Sequence, residues 1–343
     1  MPGPRIAVVG AGAFGRNHLR VIHHSEHASL AGVLDLDPTR GAEAAKPYDC
    51  ATFESLEELA KRADAAVVAT PTLTHSEIGC RLMELGLDVL VEKPIAQDPI
   101  SGRALVETAK RTGRILQVGH LERFNPAVMA LHSIVSMPLF FEIHRLSEFT
   151  PRCLDVDVVL DLMIHDIDIV LSLTGQLPDE IRAAGISILS PKVDIANVRL
   201  QFPSGCVANL TASRVSTERV RKLRMFQPHE YVSVDYSRKD GARFRVKPPM
   251  AIDFAPLAVT KDEPLRLELE AFFASVVTRQ PPMVTGEQGL AALEVASSIL
   301  DKIEAHSRLV KRHWVRTNRR MLATNGPGTA SFLCPEPYAA SAE

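Results

Sequence analysis

Over its first 120 residues the chain alternates two hydrophobic rhythms. Short apolar, β-branched runs are RIAVV (5–9), LAGVLDL (30–36), DAAVVAT (64–70), DVLVE (88–92) and ILQVG (115–119). Between them lie segments of helical period, SLEELAKR (55–62), HSEIGCRLMELG (75–86) and PISGRALVETAKRTG (99–113). Runs that are apolar on both faces are strands covered on both sides, and strand–helix alternation builds a doubly wound parallel sheet. An N-terminal α/β domain is expected over 1–120.

Beyond residue 120 the period shortens to two. VDIANVRLQF-PSG-CVANLTASR (193–214) carries a hairpin signal, and LRMFQP (223–228), YVSVDY (231–236) and ARFRV (242–246) continue the alternation, with a turn at Asp240-Gly241. Such strands form an open, mostly antiparallel sheet with one covered face. Helical patterns return in LRLELEAFFASVV (265–277) and EQGLAALEVASSILDKIEAH (287–306). The pattern predicts a C-terminal α+β domain over 121–312 and an irregular tail over 313–343.

Composition narrows the function classes. The 343 residues are 46% hydrophobic and 23% charged, with a net charge of −2, which gives no global pull toward nucleic acid or a membrane surface. The five cysteines follow no metal-type spacing and fit a reducing compartment. No apolar run approaches a membrane span, and the N-terminal apolar stretch is short and broken by glycines, a strand rather than a signal peptide. A cytoplasmic protein with no resident metal is expected.

VVGAGAFG places Gly10, Gly12 and Gly15 directly after the first strand. In a G-x-G-x-x-G loop the first glycine makes the turn, the second admits a pyrophosphate and the third lets helix and strand pack. The amides near Ala13 and Phe14 complete the anion site. Asp35 ends the second strand, where a carboxylate holds the adenosine ribose and repels a 2′-phosphate, so NAD is favoured over NADP. Arg40, close by in sequence, blurs that preference. Two further segments, ATPTLTH (69–75) and Glu92-Lys93-Pro94, follow strands at their carboxyl ends, where open α/β sheets bind ligands. Pro94 restricts the peptide after Lys93 to a cis or tightly turned form.

The segment VVLDLMIHDIDIV (158–170) is apolar apart from Asp161, His165, Asp166 and Asp168. On a straight helix at about 100° per residue, Asp157, Asp161, His165 and Asp168 share one stripe roughly 80° wide. Burying unpaired charge costs several kcal/mol, so the stripe is expected to line a cleft. Asp161 and His165, at i and i+4, are neighbours in which the acid orients an imidazole suited to proton transfer. Asp157 also reads as a helix cap, Asp168 as a salt-bridge partner and Asp166 as structural.

These residues together resemble the Gfo/Idh/MocA family of nucleotide-dependent sugar oxidoreductases. The likeness spans roughly residues 3–310 and rests on GAGAFG, DLDPTR (35–40), ATPTLTH, EKP and D-x-x-x-H-x-x-D at Asp161, His165 and Asp168. It implies an N-terminal Rossmann domain, a C-terminal domain with an open antiparallel sheet, and a homodimer or homotetramer built on that sheet face. It implies hydride transfer between a sugar carbon and NAD, with Lys93, Asp161 and His165 as the catalytic group and Thr70, Pro71, His75 and Glu92 along the cofactor. The family's glycines around the aspartate are replaced here by Val158, Val159 and Met163.

GHLERFNPA (119–127) and DVVLDLMIHDIDIVLSLTG (157–175) look more narrowly like the UDP-N-acetylglucosamine 3-dehydrogenases, which feed an aminotransferase on a route to 3-amino-sugar lipid A. A UDP-sugar substrate would find cations in Arg123, Arg145 and Arg152 and a hydrogen-bonding group in Asn125. Two rivals stay open: an inositol-dehydrogenase-like enzyme acting on a free polyol, and an NAD-binding sensor, which would need only the glycine loop and Asp35.

Overall fold

A computed structural model describes residues 3–150, 156–249 and 251–324, the last 14 by their backbone alone. The first sheet is built from β1 (Arg5–Val9), β2 (Ser29–Leu34), β3 (Ala51–Phe53), β4 (Ala65–Val68), β5 (Asp88–Glu92) and β6 (Leu116–Gly119). Its order is β3-β2-β1-β4-β5-β6, every pair parallel. This is the doubly wound arrangement with its switch point between β1 and β4, where a ligand crevice opens. The central strands are buried on both faces, β4 over its whole length, as the uninterrupted apolar runs require. Helices α1 (Ala13–His23), α2 (Pro38–Ala45), α3 (Leu56–Ala60), α4 (His75–Glu84) and α5 (Pro99–Thr112) cross between strands. Asp37 caps α2 and Asp98 caps α5 through their side chains, satisfying amides that a helix start leaves unpaired. The Lys93–Pro94 peptide is cis.

After α6 (Pro126–Ile134) come β7 (Phe140–Glu148), a π-helical turn (Val159–Met163) and α7 (Ile164–Thr174). Strands β8 (Glu180–Ile186), β9 (Ile195–Gln201), β10 (Val207–Ser216), β11 (Val220–Gln227), β12 (Glu230–Asp235), β13 (Asp240–Lys247) and β14 (Ala251–Pro256) come next. The second sheet runs β14-β13-β12-β11-β7-β10-β9-β8, parallel only between β7 and β10. The expected hairpin is β9–β10, antiparallel from Gln201↔Val207. The expected turn at Asp240-Gly241 lies earlier: both residues pair within β13, and the reversal falls at 236–239, with Lys239 at φ 52°. Strands β7, β8 and β14 were not among the expected ones.

The chain closes with α8 (Pro264–Thr278) and α9 (Gly286–Thr324). Residues 313–324, expected as irregular tail, continue α9; 325–343 lie outside the described residues. The two helices also depart from a simple division at residue 120. Leu265, Leu269, Phe272 and Phe273 of α8 join the core of the first sheet, and Leu290 and Leu293 of α9 pack on its other face. Farther along α9, Ala296, Ile299 and Ile303 enter the core of the second sheet. One helix thus belongs to both cores. Among the described residues no helix is long and apolar enough to cross a membrane.

Candidate active site

The glycine loop has the geometry its sequence implies. Gly10 adopts φ +100°, and a Cβ there would stand 2.5 Å from the Ala69 carbonyl oxygen. A Cβ on Gly15 would come within 1.9 Å of the Gly10 carbonyl oxygen, whereas one on Gly12 meets nothing within 4 Å. Two glycines are therefore required by packing, and the third leaves an open approach to the start of α1. Phe14 is exposed beside it. Asp35 accepts hydrogen bonds from the amides of Ala11 (2.6 Å) and Asp37 (2.8 Å), which join the end of β2 to the loop. Arg40 holds the Asp35 carboxylate at 2.6 Å. Burial would raise the Asp35 pKa, but Arg40 and the two amides outweigh it and hold the group below its usual value. An ionised carboxylate beside an open glycine loop fits a dinucleotide with free ribose hydroxyls.

His75 ties two ligand-side loops together. It is buried, with Nδ1 3.0 Å from the Pro94 carbonyl and Nε2 2.9 Å from the Thr70 carbonyl. Burial keeps its pKa below the ordinary value. Thr70 accepts a hydrogen bond from Thr74, whose hydroxyl also reaches the Pro71 carbonyl. Glu92 is likewise buried, its Oε1 2.7 Å from His18 Nε2. His75 and Glu92 thus brace the loops around the cofactor crevice from beneath. His18, on α1, went unnoticed in the sequence, where it sat inside an ordinary helical pattern.

Lys93 reaches from the end of β5 to the π-helical turn. Its Nζ donates to the Asp161 carbonyl (2.7 Å) and stands 3.5 Å from the carboxylate. Both side chains are partly exposed, at 20% and 32%, so the pair opens on the cleft. His165 comes next, on α7. Its Nδ1 is buried without a partner, while the residue as a whole is only half-buried. Burial, then the positive charges of Lys93 and Arg145, drives its pKa well below the ordinary histidine value.

The expected Asp161–His165 contact is replaced. The segment carries a π turn over Val159–Met163, one residue wider than an α turn, and the partner of Asp161 among the described residues is Lys93. The straight-helix stripe dissolves accordingly. Asp157 closes the first turn with its carbonyl, which accepts the Leu160 and Asp161 amides, while its side chain accepts the Val193 amide (2.8 Å). Asp168, nearly inaccessible, lies 3.4 Å from Arg123. Asp166 takes a two-pronged grip from Arg145 at 2.8 and 2.7 Å. Val158, Val159 and Met163 are fully buried in the core of the second sheet, where glycines would leave cavities.

The sequence offered Arg123, Arg145, Arg152 and Asn125 to the substrate. Arg145 is 1% exposed and occupied by Asp166 and Glu122 (3.0 Å). Burial would lower its pKa, but Asp166 and Glu122 hold it above the usual value. Arg123 is buried on Asp168, and Asn125 caps α6 and donates to the Tyr236 carbonyl (3.3 Å). All three are buried and held by protein partners, so they shape the cleft wall from inside rather than standing out as exposed cations and amide. Arg152 lies outside the described residues. Two residues that the sequence did not single out line the same wall. His120 is fully buried, with both ring nitrogens unpartnered, edge-on to His165 at 6.3 Å between centroids. Arg221, at the start of β11, stands opposite Arg145 on β7. Among the described residues no three His, Cys, Asp or Glu side chains gather as a metal site.

Comparison with known proteins agrees with this architecture. The family description "Oxidoreductase family, NAD-binding Rossmann fold" matches residues 4–120, and "GFO/IDH/MocA C-terminal domain" matches 131–227. A UDP-N-acetylglucosamine 3-dehydrogenase from Acidithiobacillus ferrooxidans is 35% identical over 308 residues, 88% of this chain and 97% of that protein. A solved structure of that enzyme superposes with a TM-score of 0.85, covering 89% of this chain and 99% of the other at 34% identity. An inositol 2-dehydrogenase from Rhizobium meliloti is 27% identical over 325 residues, 87% of this chain and 96% of that protein. The chain belongs to the Gfo/Idh/MocA family of NAD-binding oxidoreductases.

Proposed function

We propose that the protein oxidises the C3 hydroxyl of UDP-N-acetylglucosamine to the 3-keto sugar nucleotide. The observation that carries the chemistry is the Lys93–Asp161 pair near His165, with Lys93 at the carboxyl end of a strand in the sheet whose first strand feeds the glycine loop. The substrate assignment rests on similarity along nearly the whole of a UDP-N-acetylglucosamine 3-dehydrogenase. Gly10, Gly12, Gly15 and Asp35 would hold NAD, which supplies the hydride acceptor. The chain's own groups manage the hydroxyl proton. His165 is neutral at working pH and offers a lone pair to it. Lys93, fixed on the Asp161 carbonyl, donates to the same oxygen and stabilises the negative charge that grows as the proton leaves. Asp161 sets where the ammonium points.

A 3-keto product is the substrate class for an aminotransferase making 3-amino sugars of the lipid A type, and a cytoplasmic site suits both cofactor and sugar nucleotide. An aromatic row across the second sheet, from Phe226 through Tyr231 and Phe244 to Phe254, with Phe254 60% exposed, supports assembly into a homo-oligomer through that face. The inositol 2-dehydrogenase relative favours a second reading, oxidation of a free polyol.

The test is reduced-cofactor absorbance with NAD against UDP-sugars and free polyols, the ketone being trapped by an aminotransferase. Turnover restricted to UDP-N-acetylglucosamine supports the proposal; turnover restricted to inositol replaces it. Lys93→Ala and His165→Ala should each lower kcat about 100-fold or more while NAD still binds. If both variants keep near-normal turnover, the assigned chemistry is wrong.

A further inference from the structure

After burial, the fixed charges that bear most on the His165 ring, those of Lys93, Arg145 and Arg221, all disfavour its protonation. The two arginines and Lys93 differ in how far they are neutralised. Lys93 has the carbonyl and carboxylate of Asp161. Arg145 is inaccessible and grips both Asp166 and Glu122. Arg221 has no such partner of its own. Its one carboxylate among the described residues is Glu122 at 3.8 Å, through the same Oε1 that already accepts from Arg145 at 3.0 Å. Its Nε is buried and unpartnered, yet a quarter of the side chain is exposed. Burial first, then Arg145 and Arg219, lowers its pKa, and the pull of Glu122 and Asp166 does not make up the difference.

A guanidinium held in this state is costly until an anion meets it. Neutral polyols bring none. Phosphate oxygens do, and the planar fork of arginine takes them two at a time. We propose that Arg221 anchors the diphosphate of the sugar nucleotide. This deepens the function proposed above and rests on it. Arg221 replaces the buried Arg123 and Arg145 as the substrate's cation. The arrangement also couples binding to chemistry: a bound diphosphate screens one of the positive charges near His165 and so makes the ring a better proton acceptor.

Steady-state kinetics of wild type, Arg221→Gln and Arg221→Lys, with UDP as competitive inhibitor, test the anchor. Arg221→Gln should raise KM for UDP-N-acetylglucosamine and Ki for UDP together by about 30-fold or more. Its affinity for NAD should stay unchanged, which also reports that the variant folds. Arg221→Lys should recover part of the loss. If the wild type uses UDP-N-acetylglucosamine and Arg221→Gln leaves KM and Ki unaltered, the anchor alone is overturned. If the wild type oxidises a free polyol and does not bind UDP, the substrate reading falls, and the anchor with it.

Discussion

Lys93 is fixed by a peptide carbonyl at 2.7 Å more closely than by the carboxylate at 3.5 Å, so its position depends on the backbone of the π turn as well as on charge. Asp35 shows a comparable double use. It orders the loop through the Ala11 and Asp37 amides and holds Arg40. Asp35→Ser should therefore weaken NAD binding about 10-fold or more and bring NADP to equal or better affinity, because the freed Arg40 can meet a 2′-phosphate. Fluorescence titration with both dinucleotides measures the ratio; an unchanged preference would count against Asp35 as the discriminator. The glycine loop and Asp35 were legible in the sequence because backbone chemistry demands those residue types in that order. The burial of Arg123, Arg145 and Asn125 was not legible there, because the destination of a polar side chain depends on its tertiary partners. Nothing near Arg145 in sequence announces Asp166, 21 residues on.

Among the elements, the π turn at Val159–Met163 carries Asp161, whose carbonyl and carboxylate meet Lys93. Angular reading of 157–170 assumed a constant advance per residue, and the extra residue of the turn broke that assumption. Deleting Leu162 should restore α-helical register and carry Asp161 off Lys93. The expected result is loss of at least about 100-fold in kcat/KM with far-ultraviolet circular dichroism and NAD affinity retained. Near-normal activity in that deletion would mean the turn is incidental. The strand-and-helix rhythm of 1–120 was readable because those strands are buried on both faces. Strand β7 was harder: it buries Arg145 in line with Phe141 and Ile143, and a charged residue pointing inward hides the period of two.

For the whole molecule, histidines held neutral by burial contribute to the response to acid. His132 lies 3.2 Å from the Ser172 hydroxyl, and burial pushes its pKa down to about 4; His75, His120 and His165 are lowered too. The unfolded chain binds protons at these sites below about pH 6.5, where the folded chain does not. Their stability contribution is therefore complete above about pH 6.5 and is lost as pH falls through the folded value of each, about 4 for His132. Urea midpoints should drop between pH 7.5 and 5, and His132→Gln should lessen the drop; an equally steep fall in that variant would exclude His132 as a contributor.

Helix α8 supplies Leu265, Leu269, Phe272 and Phe273 to the core of the first sheet, and Arg279 at its end pairs with Asp88 of β5. The nucleotide-binding half is therefore finished by residues made about 150 positions after its last strand. On a ribosome working at 5–20 residues per second that interval lasts roughly 8–30 s. Through it the face of the nascent parallel sheet that α1 and α2 cover only in part stays open where α8 will lie, a stretch of synthesis in which a holdase chaperone has something to hold.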